Sequence, residues 1–274
     1  MFLGVQSARH LKILNKMENK PNLTNLTFDE ATHTYHADGV QMLSVSRLLG
    51  VLTKQSLKNT TNERIKEKAR VNSEVAIEKG KEFHLAAKIH AQTMFQSTEK
   101  GLPLDMKGRE NFYGESVVSA VNKIFLFFKE RAKDVRGGYF LFCGEAPICD
   151  VENALAGTPD VVFVYEGGAV IFDYKTNAQF DPNPFGKFME PPLDSLPDTS
   201  MAGYQMQMNL YAHLVSVWYG VPIESISAHI VHINDAHGAV IYENCITPES
   251  RALTVKLLEW KNRNEGFINN SITK

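Results

Sequence analysis

The chain has 274 residues, which is enough for one sizeable hydrophobic core or at most two small domains. Its formal net charge is −2, so no overall positive field attracts the protein to nucleic acid. Any contact with nucleic acid would need a local basic surface or bound cations. The three cysteines, Cys143, Cys149 and Cys245, show no CxxC spacing, which argues against a disulfide framework and a zinc ribbon and fits a reducing compartment.

The N-terminal part of the chain is predicted to be a tail followed by a small extension. Residues 1–21 are polar and weakly patterned, and they lack an apolar segment followed by a small-residue cleavage site. No apolar run reaches transmembrane length, so we expect a cytoplasmic protein without membrane contacts. Residues 22–73 begin with strand-like stretches around Phe28 and at 32–35 and a turn signal at 38–39, which together indicate a hairpin.

Three helices are predicted next. Ser44 precedes an apolar run and has the position of a helix N-cap. Residues 62–96 are helical in pattern and highly charged, and they fit either a solvated helix with ion pairs or a basic face that follows phosphates. Residues 110–134 predict an amphipathic helix. Its apolar stripe is formed by Val117, Val118, Val121, Ile124, Phe125 and Phe128.

The pattern then changes to that of an α/β fold. Three strands are predicted at 139–146, 158–165 and 169–174, with a hairpin turn at 166–168 between the last two. The proline-rich stretch 176–203 is predicted to be a long loop of the kind that is often functional. The remaining elements are a helix over 204–219, strands at 226–233 and 239–243, and a closing helix after Pro248. This order indicates helices around a mixed sheet.

The stretch GTPDVVFVYEGGAVIFDYK carries the candidate chemistry. Asp160 opens one predicted strand, and Asp173 and Lys175 lie two residues apart on the next, so their side chains share a face. Two carboxylates meeting beside a lysine on apolar strands are costly without a ligand, and their oxygens suit Mg²⁺ or Mn²⁺. From spacing alone, Asp173 and Lys175 could equally be exposed strand residues and Asp160 a turn cap, because D-x-K is a common tripeptide.

Three segments in order resemble the PD-(D/E)xK nucleases of the RecB-like branch. The sequence GTPD followed by a hairpin and DYK resembles the motif itself, with Asp173 in the D/E place. The stretch KGKEFHLAAKIH resembles the branch's G-x-x-x-H helix, with Gly80 leaving room for the metal ligand His84. The stretch YQMQMNLYAHL resembles its Q-x-x-x-Y motif, carried by Gln207 and Tyr211. The opening segment and the proline-rich insert resemble phage-type and mitochondrial genome maintenance exonuclease-like relatives.

The resemblance implies roles for individual residues. Glu145, on the strand before the motif, corresponds to an acidic residue of the family that acts on the metal, its water or the substrate. Together with Asp160, Asp173 and Lys175 it forms the expected catalytic set. The implied ligands of Mg²⁺ or Mn²⁺ are His84, Asp160, Asp173 and Tyr174. The implied substrate-binding residues are Ser44, Tyr204, Gln207 and Tyr211.

The resemblance also implies the architecture. It predicts an αβββαβ core over 74–245, within a single nuclease domain that spans 22–274 and includes a C-terminal helix at 246–274. Some relatives hold an iron–sulfur cluster with four cysteines, and three unclustered cysteines predict none here. No P-loop is present, so the sequence predicts no fused helicase motor.

The function implied by the resemblance is metal-dependent hydrolysis of DNA. We expect an exonuclease that prefers single strands or free ends, with helices of the N-terminal half and the loop 176–203 as walls of a channel. Tyr204, Tyr211, Phe180 and Phe185 are candidates to stack on bases. The alternatives are an inactive DNA-binding or assembly protein with the nuclease fold, a nuclease acting on RNA, and an endonuclease.

Overall fold

A computed structural model describes much of the chain beyond residue 24. The described residues are 25–29, 32, 34–53, 80–89, 115–132, 140–165, 167–177, 186–234 and 238–264. The predicted tail at 1–21 and most of the charged stretch 62–96 lie outside these residues, as do Phe180 and Phe185.

The described residues form ten strands and five α-helices. The strands are β1 (Leu26–Asp29), β2 (Thr34–Ala37), β3 (Val40–Ser44), β4 (Phe140–Gly144), β5 (Ile148–Asp150), β6 (Leu155–Gly157), β7 (Val161–Tyr165), β8 (Gly168–Lys175), β9 (Ile226–Asn234) and β10 (Gly238–Ile241). The helices are α1 (Val45–Leu52), α2 (80–89), α3 (Glu115–Ala132), α4 (Ser200–Tyr219) and α5 (Pro248–Arg263). A short 3-10 turn, Ile223–Ser225, precedes β9.

Five strands build a central mixed sheet in the order β10-β9-β8-β7-β4. The strands β4, β7 and β8 pair antiparallel, whereas β8 and β9 pair parallel through the crossover helix α4. Both β7 and β8 are almost continuous runs of buried residues, as expected for strands covered on both faces. Gly167, with a φ of 88°, makes the predicted turn between them. The expected α/β fold with a mixed sheet and flanking helices is confirmed.

The two faces of the central sheet are covered by different helices. The helix α4 packs on one face, where Met206, Leu210 and Leu214 join the main core with Val162 and Ile171. The helices α2 and α3 supply apolar side chains to the second core, on the other face. Its members include Phe83, Val121, Ile124, Phe163 and Phe172. Side chains at one end of this sheet can therefore be approached by helices from both sides.

A second five-stranded sheet, which the sequence did not predict, lies beside the first. Its order is β1-β2-β3-β6-β5, so the predicted N-terminal hairpin joins a short hairpin between β4 and β7. The strand β3 pairs parallel with β6, whose last residue leads directly toward Asp160. This sheet therefore supports the segment that carries the predicted motif.

A buried polar contact connects this second sheet to α4. His213 Nε2 lies 2.7 Å from Asp150 Oδ2, and Asn153 Nδ2 donates to the same oxygen at 2.6 Å. Burial by itself raises the pKa of Asp150, but these hydrogen bonds outweigh it and lower the pKa to about 2. The buried Lys261 of α5 adds a contact from its ammonium to the Asn153 carbonyl.

Several details of the predicted elements are corrected. The helix α4 begins at Ser200 rather than at 204, because the Thr199 side chain accepts a hydrogen bond from the Ala202 N–H and caps it. Val217 of α4 and Val255 of α5 are 40% and 57% exposed, so neither belongs to the core. Among the described helices, none is both long enough and apolar enough to cross a membrane.

Candidate active site

The ends of β7 and β8 bring Asp160 and Asp173 together. Val161 pairs with Phe172, so extending this antiparallel register by one residue places Asp160 beside Asp173. Asp160 Oδ2 accepts a hydrogen bond of 2.6 Å from the main-chain N–H of Tyr174. Because β7 begins at Val161, the carboxylate takes the place of the missing strand partner for this N–H. The Asp160 side chain is thereby fixed at one end of the central sheet.

His84 reaches the same point from α2. Phe83 and Ala87 bury one side of this helix against the sheet, which sets its position and leaves His84 only partly buried at the sheet end. His84 Nδ1 lies 3.0 Å from Asp160 Oδ1. Burial lowers the pKa of His84, but the charge and hydrogen bond of Asp160 outweigh it, so the pKa is raised above its ordinary value.

Gly80 does not have the predicted role beside the imidazole. Of the described atoms that a Cβ at Gly80 would approach, Thr176 Oγ1 is the one within 4 Å, at an ordinary contact distance of 3.4 Å. The His84 ring is therefore not the group that this glycine accommodates.

Glu145 is the third polar residue at this end of the sheet, beside His84 and Asp160. It follows β4 with a φ of 45°, a left-handed conformation that costs a residue with a side chain roughly 1 kcal/mol. Its N–H donates to the Asp160 carbonyl at 2.9 Å, which continues the β4–β7 ladder and holds this conformation. The Glu145 carboxylate forms an ion pair of 2.9 Å with Lys88 Nζ of α2. Strain of this kind is typical of residues whose side-chain direction matters for function.

His84, Glu145 and Asp160 form a group that could bind a metal ion. One ligand atom from each lies within 4.8 Å of the others. One imidazole nitrogen and two carboxylate oxygens suit Mn²⁺ well, and the carboxylates suit Mg²⁺. The donor set therefore fits the cofactor expected from the sequence, with Glu145 in the group beside His84 and Asp160.

Asp173 is paired with Lys175 beside this group. The Asp173 side chain is buried, that of Lys175 is 14% exposed, and the Lys175 ammonium contacts Asp173 Oδ2 directly. Burial raises the pKa of Asp173 to about 6, against the opposing charge of Lys175. Lys175 in turn has a raised pKa, because the charge of Asp173 outweighs the effect of burial. The ammonium is thus held in its charged form next to the carboxylates.

The predicted Gln–Tyr helix face positions this lysine from the other side of the sheet. Lys175 Nζ donates to Gln207 Oε1 at 2.9 Å, and Gln207 Nε2 donates to the Tyr211 hydroxyl at 2.9 Å. The Lys175 ammonium also lies 4.5 Å from the centre of the Tyr204 ring, within reach of a cation–π interaction. These contacts leave Lys175 a narrow range of positions.

The remaining predicted site residues have structural contacts. Ser44 is buried, and its hydroxyl caps α1 by accepting from the Arg47 N–H, as its position predicted. The Tyr174 side chain packs edge-on against Phe83, and its main chain holds Asp160. Tyr211 is 6% exposed, so its ring is not an open platform for a base.

Two features of the site were not predicted. One is Lys88, whose signal was its spacing of four residues from His84, which places both on one face of α2. The other is the hydrogen bond of 2.9 Å between the hydroxyls of Tyr35 and Thr158. It connects strand β2 of the second sheet to the segment that leads to Asp160. A contact between residues so distant in sequence has no local signal.

Comparisons with known proteins do not assign this chain to a family. No profile of a known family matches the sequence, and neither does any curated protein. The crystal structure of SSO0001 is 16% identical with a TM-score of 0.27, and the match covers 56% of this chain and 66% of that one. A protein of Eubacterium rectale, provisionally named an exonuclease, is 13% identical with a TM-score of 0.32, and 68% of each chain is covered. The chain thus spans about two thirds of these proteins.

Proposed function

We propose that this protein is a metal-dependent nuclease of the PD-(D/E)xK type that hydrolyses phosphodiester bonds in DNA. The observation that carries the proposal is the meeting, at one end of the central sheet, of a His84–Glu145–Asp160 group with the Asp173–Lys175 ion pair. The order of the motifs in the sequence supports the same assignment. The preference for single strands or free ends rests on the family resemblance alone.

His84, Glu145 and Asp160 would hold the cation, with the Asp173 carboxylate next to them. A bound divalent cation supplies a polarised phosphoryl oxygen and lowers the pKa of its water. Asp160 is suited to this task because Tyr174 and His84 fix both of its oxygens. The negative charge of the group would repel a phosphate without the cation, which makes activity dependent on the metal.

Lys175 is the candidate for stabilising charge during the reaction. Its ammonium is charged, almost buried and held by Gln207 and Tyr204. An ammonium fixed in this way stabilises negative charge that develops on a phosphoryl oxygen, or orients the attacking water, without first having to be ordered. Gln207 acts on this lysine as a positioning residue.

The test is cleavage of end-labelled linear and circular single-stranded DNA in Mg²⁺, Mn²⁺ or EDTA. We expect loss of the linear strand with either cation and none in EDTA. Asp173→Asn and Lys175→Ala should each abolish cleavage, and Lys175→Ala should still bind DNA. Asp194→Asn, which changes a carboxylate that is exposed at the surface, is the matched control and should cleave normally.

Other outcomes would correct particular parts of the proposal. DNA binding without cleavage under any cation would indicate an inactive protein with the nuclease fold. Circular DNA degraded as fast as linear DNA would contradict the exonuclease part, and preferential cleavage of RNA would contradict the substrate. A fully active Lys175→Ala protein would refute the role of this lysine.

A further inference from the structure

Lys88 is a charged side chain at the site whose function remains to be assigned. It lies one helical turn after His84 on α2, so both residues face the end of the central sheet. Its ammonium is 2.9 Å from Glu145 Oε2. The Lys88 side chain is 32% exposed, so it lies at the open edge of the site, whereas Lys175 is 14% exposed.

The carboxylate that Lys88 contacts belongs to the group that could hold a cation. Glu145 is within 4.8 Å of His84 and Asp160 through one ligand atom each, and the same side chain is paired with Lys88. A lysine and a cation therefore compete for the negative charge of Glu145, and a bound cation weakens the ion pair with Lys88. Without a cation, Lys88 offsets part of the negative charge and favours the present position of Glu145.

The net charge of the site changes sign when a divalent cation is added. Three carboxylates, Glu145, Asp160 and Asp173, face two ammonium groups, Lys88 and Lys175, which leaves one excess negative charge when His84 is neutral. A divalent cation converts this to one excess positive charge, which matches a single phosphodiester. A lysine ammonium that loses its carboxylate partner at an open edge is suited to take a phosphate oxygen in its place.

We propose that Lys88 pairs with Glu145 while the site holds no cation, and binds a phosphate of the nucleic acid once a cation has engaged Glu145. The inference rests on the proposed function and adds a substrate-positioning residue to it. It implies that Lys88 weakens cation binding in the free protein and strengthens nucleic-acid binding in the loaded protein. A residue that only supports the fold would affect both affinities in the same direction.

The experiment measures these two affinities in Lys88→Met. Titration calorimetry with Mn²⁺, without nucleic acid, should show about two- to fivefold tighter binding, as expected for loss of a partly exposed ion pair. Anisotropy of a short fluorescent single strand in Ca²⁺ should show weaker binding, with the magnitude of the slope of log affinity against log salt reduced by about 0.7. Lys88→Arg should keep both wild-type values. Lys256→Met, which removes another lysine facing a carboxylate, is the matched control.

Each outcome separates this inference from the proposed function. If wild type neither binds Mn²⁺ nor cleaves DNA, the proposed function is refuted and the role of Lys88 with it. If wild type does both and Lys88→Met leaves the two affinities unchanged, or weakens both, the role of Lys88 alone is refuted. Opposite changes in the two affinities, absent in the control, would support it.

Discussion

Replacing Gly157 by alanine should displace Tyr211, which holds Gln207 and through it the candidate catalytic residue Lys175. A Cβ at Gly157 would lie 2.7 Å from Tyr211 Cε1 and 3.2 Å from Val45 Cγ2. Tyr211 and Val45 are both buried, so neither has open space into which it can move. Overpacking of this kind typically costs about 1–3 kcal/mol, and for a chain of this size each kcal/mol lowers Tm by roughly 2–4 °C.

The same substitution should reduce catalysis more than cation binding. The Tyr211 hydroxyl accepts from Gln207, which in turn holds Lys175, so a shifted ring moves the lysine. A misplacement of about 1 Å at a reacting group can lower the rate about a hundredfold. His84 and Glu145 are held by other elements, so Mn²⁺ affinity should change little.

The assay compares Tm, the cleavage rate and Mn²⁺ affinity of Gly157→Ala with those of Gly203→Ala. Gly203 lies in α4, and a Cβ there meets nothing within 4 Å among the described residues. Because alanine is favoured over glycine in a helix by about 1 kcal/mol, Gly203→Ala should keep or raise Tm. Unchanged Tm and rate in Gly157→Ala, or equal losses in both variants, would refute the reasoning.

The other predictions concern metal binding, acid stability and the hydrogen bond between Tyr35 and Thr158. His84→Ala should weaken Mn²⁺ binding by at least about tenfold in calorimetry, because one of the ligand groups is lost. The pKa of Asp150 is about 2 when folded and 3.8 ordinarily, so its contribution of about 2 kcal/mol is present above pH 4 and lost as the pH falls toward 2. Urea unfolding from pH 6 to 3 should therefore show a weaker acid dependence in Asp150→Asn than in wild type. Tyr35→Phe should cost about 0.5–1.5 kcal/mol in urea unfolding, through the lost hydrogen bond to Thr158.

Each of these has an outcome that would contradict it. Wild-type Mn²⁺ affinity in His84→Ala would exclude the imidazole from the metal group. An acid dependence in Asp150→Asn equal to that of wild type would show that this carboxyl titrates alike in the folded and unfolded chains. For the hydroxyl pair, Thr158→Ser serves as the control, because it keeps the oxygen that Tyr35 contacts. A loss as large in Thr158→Ser as in Tyr35→Phe would argue against the hydrogen bond as the cause.

The central sheet could be predicted because its strands carry strong local signals. β7 and β8 are apolar runs separated by a glycine turn, and their predicted bounds differ from the observed ones by a few residues. β5 and β6 have three residues each, too few to show a period, so the second sheet was missed. The start of α4 could not be predicted because Ser200 and Gly203, which follow the cap at Thr199, are weak helix formers.

The candidate site was predictable as a set of residues but not as a geometry. The motif spacing indicated Asp160, Asp173 and Lys175, and these side chains do meet at one sheet end. The sequence could not show that Glu145 would adopt a left-handed conformation and complete the group with His84. Such a conformation is imposed by the pairing of β4 with β7, which depends on contacts across the sheet rather than on neighbours in sequence.

The two hydrogen bonds of Asp160 determine which substitutions this position can accept without loss of the fold. One oxygen completes the β7–β8 ladder at the Tyr174 N–H, and the other faces the His84 imidazole. An asparagine has the same shape, can accept from Tyr174 through its oxygen and can donate to His84 through its amide. The architecture would thus survive an exchange that removes the charge. Under the proposed function, Asp160→Asn would give a folded protein that binds nucleic acid without cleaving it, which suits structure determination of the complex.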